Sequence, residues 1–290
     1  MLFINNLQVY TKRSGRGGIF NNFLTGTMPL KIIKKKATET YWADVFDKTM
    51  FEKSIPRYDD PRFILSKNYL LRNIRILEGG CGNGGWVYFL HELGYDVVGL
   101  DYAEKVIRRL HIEILNRKIG NLSLIIGDIT HLCFKNKSFD IYLSLGVVEH
   151  FEEGPIDSLR ECNRVLKMEG VLLLQVPYYN LIRRFKYLKN IKIEDSGQEF
   201  YQYAFTKREI KNYLEKTGFE IIMLTPVDIM NGLRSEFKSV IKMYSSLKGS
   251  MRNEVSKEAK ANSGQNNHSK VKSKVIFFNV VKSVLKLLIN

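Results

Sequence analysis

The chain has 290 residues, room for one large domain with appendages, and its 44% hydrophobic and 12% aromatic content can fill a proper core. Its net charge of +15 sits at the ends: residues 1–36 carry seven Lys/Arg and no acid, residues 234–290 carry twelve and three, and residues 37–233 stay near neutral with 26 and 27. Three widely spaced cysteines, Cys81, Cys133 and Cys162, form no CxxC pair and no cluster with histidine, which argues against a metal site and for a reduced, cytosolic protein.

In chain order, Leu2-Phe3-Ile4 is too short an apolar stretch for a signal peptide, and Asn5 and Asn6 interrupt it. Residues 1–36 are expected to form a basic, disordered segment. Ser14-Gly15-Arg16-Gly17-Gly18 reads as a linker, Lys34-Lys35-Lys36 as a charge block, and Met28 as an alternative start. An ordered domain is expected over residues 37–228. Tyr41, Trp42, Val45 and Phe46 have helical spacing, which predicts a packing helix with aromatic anchors. Pro56 and Pro61 break the next stretch, and a helix through Phe63, Leu65, Leu70 and Leu71 leads into the first strand.

Residues 74–85 read as a strand, a glycine-rich turn and a helix start. Ile74, Ile76 and Leu77 are apolar, Glu78 ends the run, and Gly79, Gly80, Gly82, Gly84 and Gly85 follow. Trp86, Val87, Phe89, Leu90 and Leu93 then make a helical stripe ending at Gly94. Such a turn lets a ligand approach bare backbone, and the helix aims unpaired N–H groups at it. Gly80, Gly82 and Gly85 satisfy the dinucleotide fingerprint, with Asp101 at the right distance for a ribose. Glu78 argues the other way, because a carboxylate there repels a pyrophosphate and suits an ammonium or sulfonium.

The segment Ile76-Leu77-Glu78-Gly79-Gly80-Cys81-Gly82-Asn83-Gly84 resembles the glycine-rich signature of class I S-adenosylmethionine-dependent methyltransferases, whose acidic-x-Gly-x-Gly pattern Glu78, Gly80 and Gly82 supply. Gly79 stands where that family more often has a larger residue, a change expected to leave the loop undisturbed or at most looser. The resemblance implies S-adenosyl-L-methionine as cofactor, held by Glu78, Gly79, Gly80, Cys81 and Gly82. It also implies an N-terminal helix over the cofactor, to which Tyr41 or Trp42 would contribute.

Tyr95 to Asp101 reads as a second strand, completing a right-handed parallel βαβ unit. Asp101 emerges beside the glycine turn, where it can accept both ribose hydroxyls, and Tyr102 would flank the adenosine. A helix over 103–118 and a strand over 122–126 end in Gly127-Asp128-Ile129. By the resemblance, Asp128 takes the adenine amino group and Ile129 packs on the ring; taken alone, Gly-Asp is an ordinary turn. Phe139–Leu145 is the fourth strand, and the backbone at Leu145 and Gly146 would border the donor. Glu149-His150 resembles the pair that often follows the family's central strand. His150 is a candidate base by its unperturbed pKa near 6.5. The structural reading, with both residues opening a helix, takes the larger share, because a sulfonium is already an activated donor. Val171–Pro177 is the fifth strand.

Residues 178–205 mix aromatics and arginines and need no sheet element. They read as a lid or wall for the acceptor, with Tyr178, Tyr179, Arg183, Tyr201 and Tyr203 as substrate candidates. Packing alone is the plainer alternative, and aromatic–basic mixtures also stack bases. Thr206 and Glu209 predict a capping box for a helix over 207–217, ended by Gly218, before a strand from Phe219. Residues 229–290 form a basic extension with a polar linker over 253–274. Val275–Asn290 is either the seventh strand, at Val275–Val281, or an amphipathic helix lying on an anionic membrane, being too short and too charged to span one.

The expected fold is α/β and Rossmann-like, a mostly parallel seven-stranded sheet with helices on both faces and an antiparallel last strand. The expected function is methyl transfer to a small-molecule or lipid- or glycan-linked acceptor, in the cytoplasm or peripherally at the inner membrane face. A NAD(P)-dependent reductase and a non-catalytic scaffold tethered by its basic tails are the alternatives. Nucleic acid is the less favoured partner, and no metal is expected.

Overall fold

The computed structural model describes residues 6–14, 29–34, 36–48, 51–71, 73–120, 122–179 and 199–227. Two strands open the chain, β1 (Asn6–Arg13) and β2 (Leu30–Lys34), followed by three helices, α1 (Glu39–Asp47), α2 (Phe51–Ser54) and α3 (Pro61–Ser66). The glycine turn lies between β3 (Arg75–Gly79) and α4 (Gly85–Glu92). The alternation continues through β4 (Asp96–Asp101), α5 (Glu104–Asn116), β5 (Ser123–Ile126), β6 (Phe139–Leu145), α6 (Ile156–Val165) and β7 (Leu166–Pro177). Beyond these lie β8 (Glu199–Ala204), α7 (Lys207–Lys216) and β9 (Phe219–Val227).

Seven strands form one sheet in the order β5-β4-β3-β6-β7-β1-β9. From β5 to β7 every neighbouring pair is parallel. The strands read as expected because each alternates faces at period two. Leu77, Tyr142 and Leu174 pack on one side with Leu159 and Cys162 of α6 and Ile210 and Leu214 of α7. Ile76, Ile141 and Leu173 pack on the other with Val87 and Leu90 of α4 and Ile107, Leu110 and Ile114 of α5. The capping box at Thr206 and Glu209 is present, with both reciprocal hydrogen bonds.

Three expectations are corrected. Residues 6–13 are an internal strand, not a disordered tail. β1 runs antiparallel between β7 and β9, and Leu7, Val9 and Tyr10 are fully buried. A chain begun at Met28 would lack it. The antiparallel strand beside β7 is therefore the first of the chain and not the last, while Val275–Val281, offered as a seventh strand, lies outside the described residues. Residues 178–205 do contain a sheet element: β8 pairs antiparallel with β2 in a separate two-stranded sheet. Among the described residues, two of the lysines behind that expectation make ion pairs from the strands. Lys12 meets Glu169 and Glu220, and Lys31 meets Glu152. Residues 229–290 lie outside the described residues. Among the described residues, no helix is long and apolar enough to cross a membrane.

Candidate functional site

The glycine turn is built by a few backbone bonds. Gly80 and Cys81 N–H both donate to the Leu100 carbonyl, at 2.7 and 3.0 Å, which ties the turn to the end of β4. Gly80 and Gly82 adopt left-handed backbone, φ 76° and 50°. A Cβ at Gly80 would come within 2.5 Å of Val147, and one at Gly82 within 2.6 Å of Phe46. These positions need glycine for both conformation and close approach. Gly79 does not loosen the turn: the space a side chain would take there is filled by the Tyr142 hydroxyl from β6.

Two buried carboxyls flank the turn. Asp101 accepts from Gly82 N–H at 2.8 Å with Oδ2 and from Ala103 N–H at 2.9 Å with Oδ1. It therefore ties the glycine turn to the backbone leading into α5, whose N-cap, Ala103, makes no side-chain cap bond. Burial raises its pKa, while those backbone donors pull the other way. Glu78 is 4% exposed and its Oε2 has no hydrogen-bond partner. Burial pushes its carboxyl up to about 8, against the opposing charge of Arg62. A buried carboxyl oxygen left without a hydrogen bond is costly, and a cation would relieve the cost.

The remaining donor-side candidates gather at the carboxyl ends of the same strands. Asp101 lies in register with Ile126, and Gly127 N–H donates to the Asp101 carbonyl, so Asp128 and Ile129 follow close by. Asp128 Oδ1 accepts from Thr130 N–H at 2.8 Å, and Ile129 is buried. Arg164 anchors the loop beyond: its guanidinium donates to the carbonyls of Leu132 and Phe134 and pairs with Glu161. The Tyr102 hydroxyl reaches the Ala37 carbonyl at 3.3 Å, and its ring is partly exposed. Gly146, φ 81°, turns the chain after Leu145 and donates its N–H to the Gln175 carbonyl at 3.0 Å.

His150 ends a short 3-10 turn at Val148–His150. Its Nδ1 lies 2.8 Å from the Tyr201 carbonyl, which can only accept, so Nδ1 carries the proton and Nε2 keeps its lone pair. Burial lowers its pKa to about 4. Its ring meets Trp42 and Tyr201 edge-on, at 4.9 and 5.1 Å. Trp42 stacks on Phe46, and the hydroxyls of Tyr41 and Tyr201 are 3.4 Å apart. α1 is thereby joined to the His150 turn and to β8. Beside them Glu149 is 3% exposed, with Oε2 unpartnered and its carboxyl pushed up to about 8 by burial.

The other substrate candidates divide. Tyr201 joins the aromatic group around His150. Tyr203 donates to the Glu152 carbonyl at 2.7 Å, and Tyr178 packs on the core. Tyr179 bonds through its backbone to Phe205. Arg183 lies outside the described residues. Arg62, Phe46 and Gln8 were not among the sequence candidates. Phe46 had only its helical spacing as a signal. Arg62 had none, because its proximity to Glu78 comes from how α3 returns over the turn.

Residues 77–174 match the family model described as a methyltransferase domain. A ubiquinone biosynthesis O-methyltransferase of Roseobacter denitrificans is 36% identical over 105 residues, 34% of this chain and 40% of that protein. A demethylmenaquinone methyltransferase of Listeria monocytogenes is 28% identical over 139 residues, 42% of this chain and 58% of that protein. A solved S-adenosylmethionine-dependent methyltransferase of Methanosarcina mazei is 23% identical, with a TM-score of 0.45, covering 53% of this chain and 82% of that one. The chain spans about half the length of the curated relatives it matches. What the chain shares with these proteins is the methyltransferase domain matched over residues 77–174.

Proposed function

We propose that this chain transfers a methyl group from S-adenosyl-L-methionine to a ring-bearing small molecule. The observation that carries the reading is Glu78: a buried carboxyl with an unpartnered oxygen at the mouth of a glycine turn. When bound, the cofactor supplies a methyl group on a sulfonium, already activated for displacement. Glu78 would ionise against its ammonium, and the bare backbone of Gly80–Gly82 would admit its amino-acid portion. Asp101 would hold the ribose, with Tyr102 beside it, and Asp128 and Ile129 would hold the adenine. The backbone at Leu145 and Gly146 would border the reacting end. A nicotinamide dinucleotide fits less well, because its pyrophosphate would meet the Glu78 carboxylate.

The acceptor would enter beside Tyr41, Trp42, His150 and Tyr201. Relatives named for ubiquinone biosynthesis and for demethylmenaquinone support a flat, small-molecule acceptor. His150 is neutral at pH 7, with Nε2 as its accepting atom. A conjugate acid near 4 holds a proton weakly. Its role would be to accept a hydrogen bond from the acceptor and orient it, so that approach and alignment carry most of the rate. The test is turnover of methyl-labelled S-adenosylmethionine with hydroxylated aromatic acceptors, comparing the parent with His150→Gln. Label transferred by the parent, and slowed in the variant with cofactor affinity unchanged, is the expected result. No transfer to any of them would remove the acceptor class.

A further inference from the structure

Gln8 and Gln175 lie opposite one another in register across β1 and β7, and Gln175 lies opposite Leu145 across β7 and β6. Thr225 of β9 stands on the other side of Gln8. Alternation along the strands puts all four on one face. Leu7, Val9, Leu174 and Val176, adjacent in sequence, belong to the core of the opposite face. The row ends at the Leu145–Gly146 corner, where Gly146 N–H bonds the Gln175 carbonyl.

Both glutamines are almost wholly buried, at 1% and 2% exposure. Yet Gln8 Oε1 and Gln175 Nε2 have no hydrogen-bond partner. These atoms are one acceptor and one donor on facing residues, and the two amides do not bond each other. Buried amide atoms left unpaired are destabilising, and an apolar side chain of similar size would be better tolerated there. A pair kept at such a cost, at the end of the sheet that carries the site, points to a ligand that satisfies it.

We infer that Gln8 and Gln175 form a hydrogen-bonding subsite for the methyl acceptor, reading an uncharged hydroxyl or carbonyl oxygen beside the Leu145–Gly146 corner. The inference rests on the methyltransferase reading above. An amide pair offers donor and acceptor together, which matches a hydroxyl. No member of the row is charged, so neither an ammonium nor a carboxylate finds its counter-ion in it. The subsite exists only because the first strand of the chain completes the sheet beside β7.

The test uses the full chain loaded with S-adenosylhomocysteine and titrated with catechol, followed by the side-chain amide signals of the two glutamines in ¹⁵N NMR. Saturable shifts of both are expected, with benzylammonium causing none. The double variant Gln8→Leu/Gln175→Leu should bind catechol at least tenfold more weakly, keep its S-adenosylhomocysteine affinity, and melt no lower than the parent. Gln8→Met and Gln175→Met, each alone, should lose catechol binding several-fold. Catechol that leaves both amides unmoved, or that binds the variants as it binds the parent, overturns the subsite. So does a lower melting temperature in every variant, since the glutamines would then be partners of the fold. A parent that fails to bind S-adenosylhomocysteine would instead sink the methyltransferase reading beneath it.

Discussion

From β5 to β7 each strand runs parallel to its neighbours, whereas β1 enters between β7 and β9 from the opposite direction and the far end of the chain. The first half carries the glycine turn, Asp101 and Asp128. The second half closes the sheet and sets Gln8 beside Gln175. The parallel half is held by short βαβ links, so its pairing follows from local order. The antiparallel half joins residues such as Leu7 and Val176, and depends on contacts distant in sequence. One half carries the residues proposed for the donor; the other closes the sheet through pairings distant in sequence.

Removal of residues 1–14 is the severest way to break that contrast. Burial of Leu7, Val9 and Tyr10 is worth ~1.5–3 kcal/mol each, which approaches the whole stability of a domain. The truncated chain should show no cooperative melting by circular dichroism. A sharp melt near that of the parent would mean β1 is dispensable.

In the donor half, Asp101→Ala should spare the sheet and weaken S-adenosylhomocysteine by ~10–100-fold, the loss of charge-assisted hydrogen bonds to Gly82 N–H and to the ribose. Calorimetry measures it. An unchanged affinity would confine Asp101 to holding the glycine turn and the backbone that enters α5.

The buried titrating groups sharpen the contrast further. Glu78 and Glu149 have folded values near 8, above the ordinary 4.5, so their protonated forms favour the fold. That contribution is full below 4.5 and is lost as pH rises through 8. His150 has a folded value near 4, below 6.5, so its contribution is full above 6.5 and is lost as pH falls through 4. Urea midpoints of the cofactor-free chain should fall between pH 6.5 and 8, and Glu78→Gln should make that fall shallower. An identical slope in the variant would contradict a Glu78 carboxyl held protonated by burial. The smallest effect is expected at Thr206→Ala, which removes the α7 cap for ~1 kcal/mol and leaves cofactor affinity alone.

The sequence made the donor half legible because its signals are local. Glu78, the glycines and Asp101 sit within one strand–turn–helix–strand unit, and the predicted Phe139–Leu145 strand matches β6 end to end. The antiparallel half was obscured. Leu7, Val9 and Tyr10 are only three core residues before a glycine- and lysine-rich run, and nothing in Asn6–Arg13 names its partners. β8 was hidden in the same way, since Phe200, Tyr201 and Tyr203 read equally as a loop wall until β2 supplies the pairing. Gln175 was visible as a letter only, and Glu149 only as the neighbour of His150. Their meaning lies in burial without a partner, which depends on the finished packing.

The most direct measurement is calorimetric titration of the full chain with S-adenosylmethionine, S-adenosylhomocysteine and NADH in two buffers of different ionisation enthalpy. Binding of the first two with release of a proton near pH 7, as Glu78 ionises against the incoming ammonium, is the result the account predicts. Binding of NADH alone, or of S-adenosylmethionine with no proton released, would contradict it.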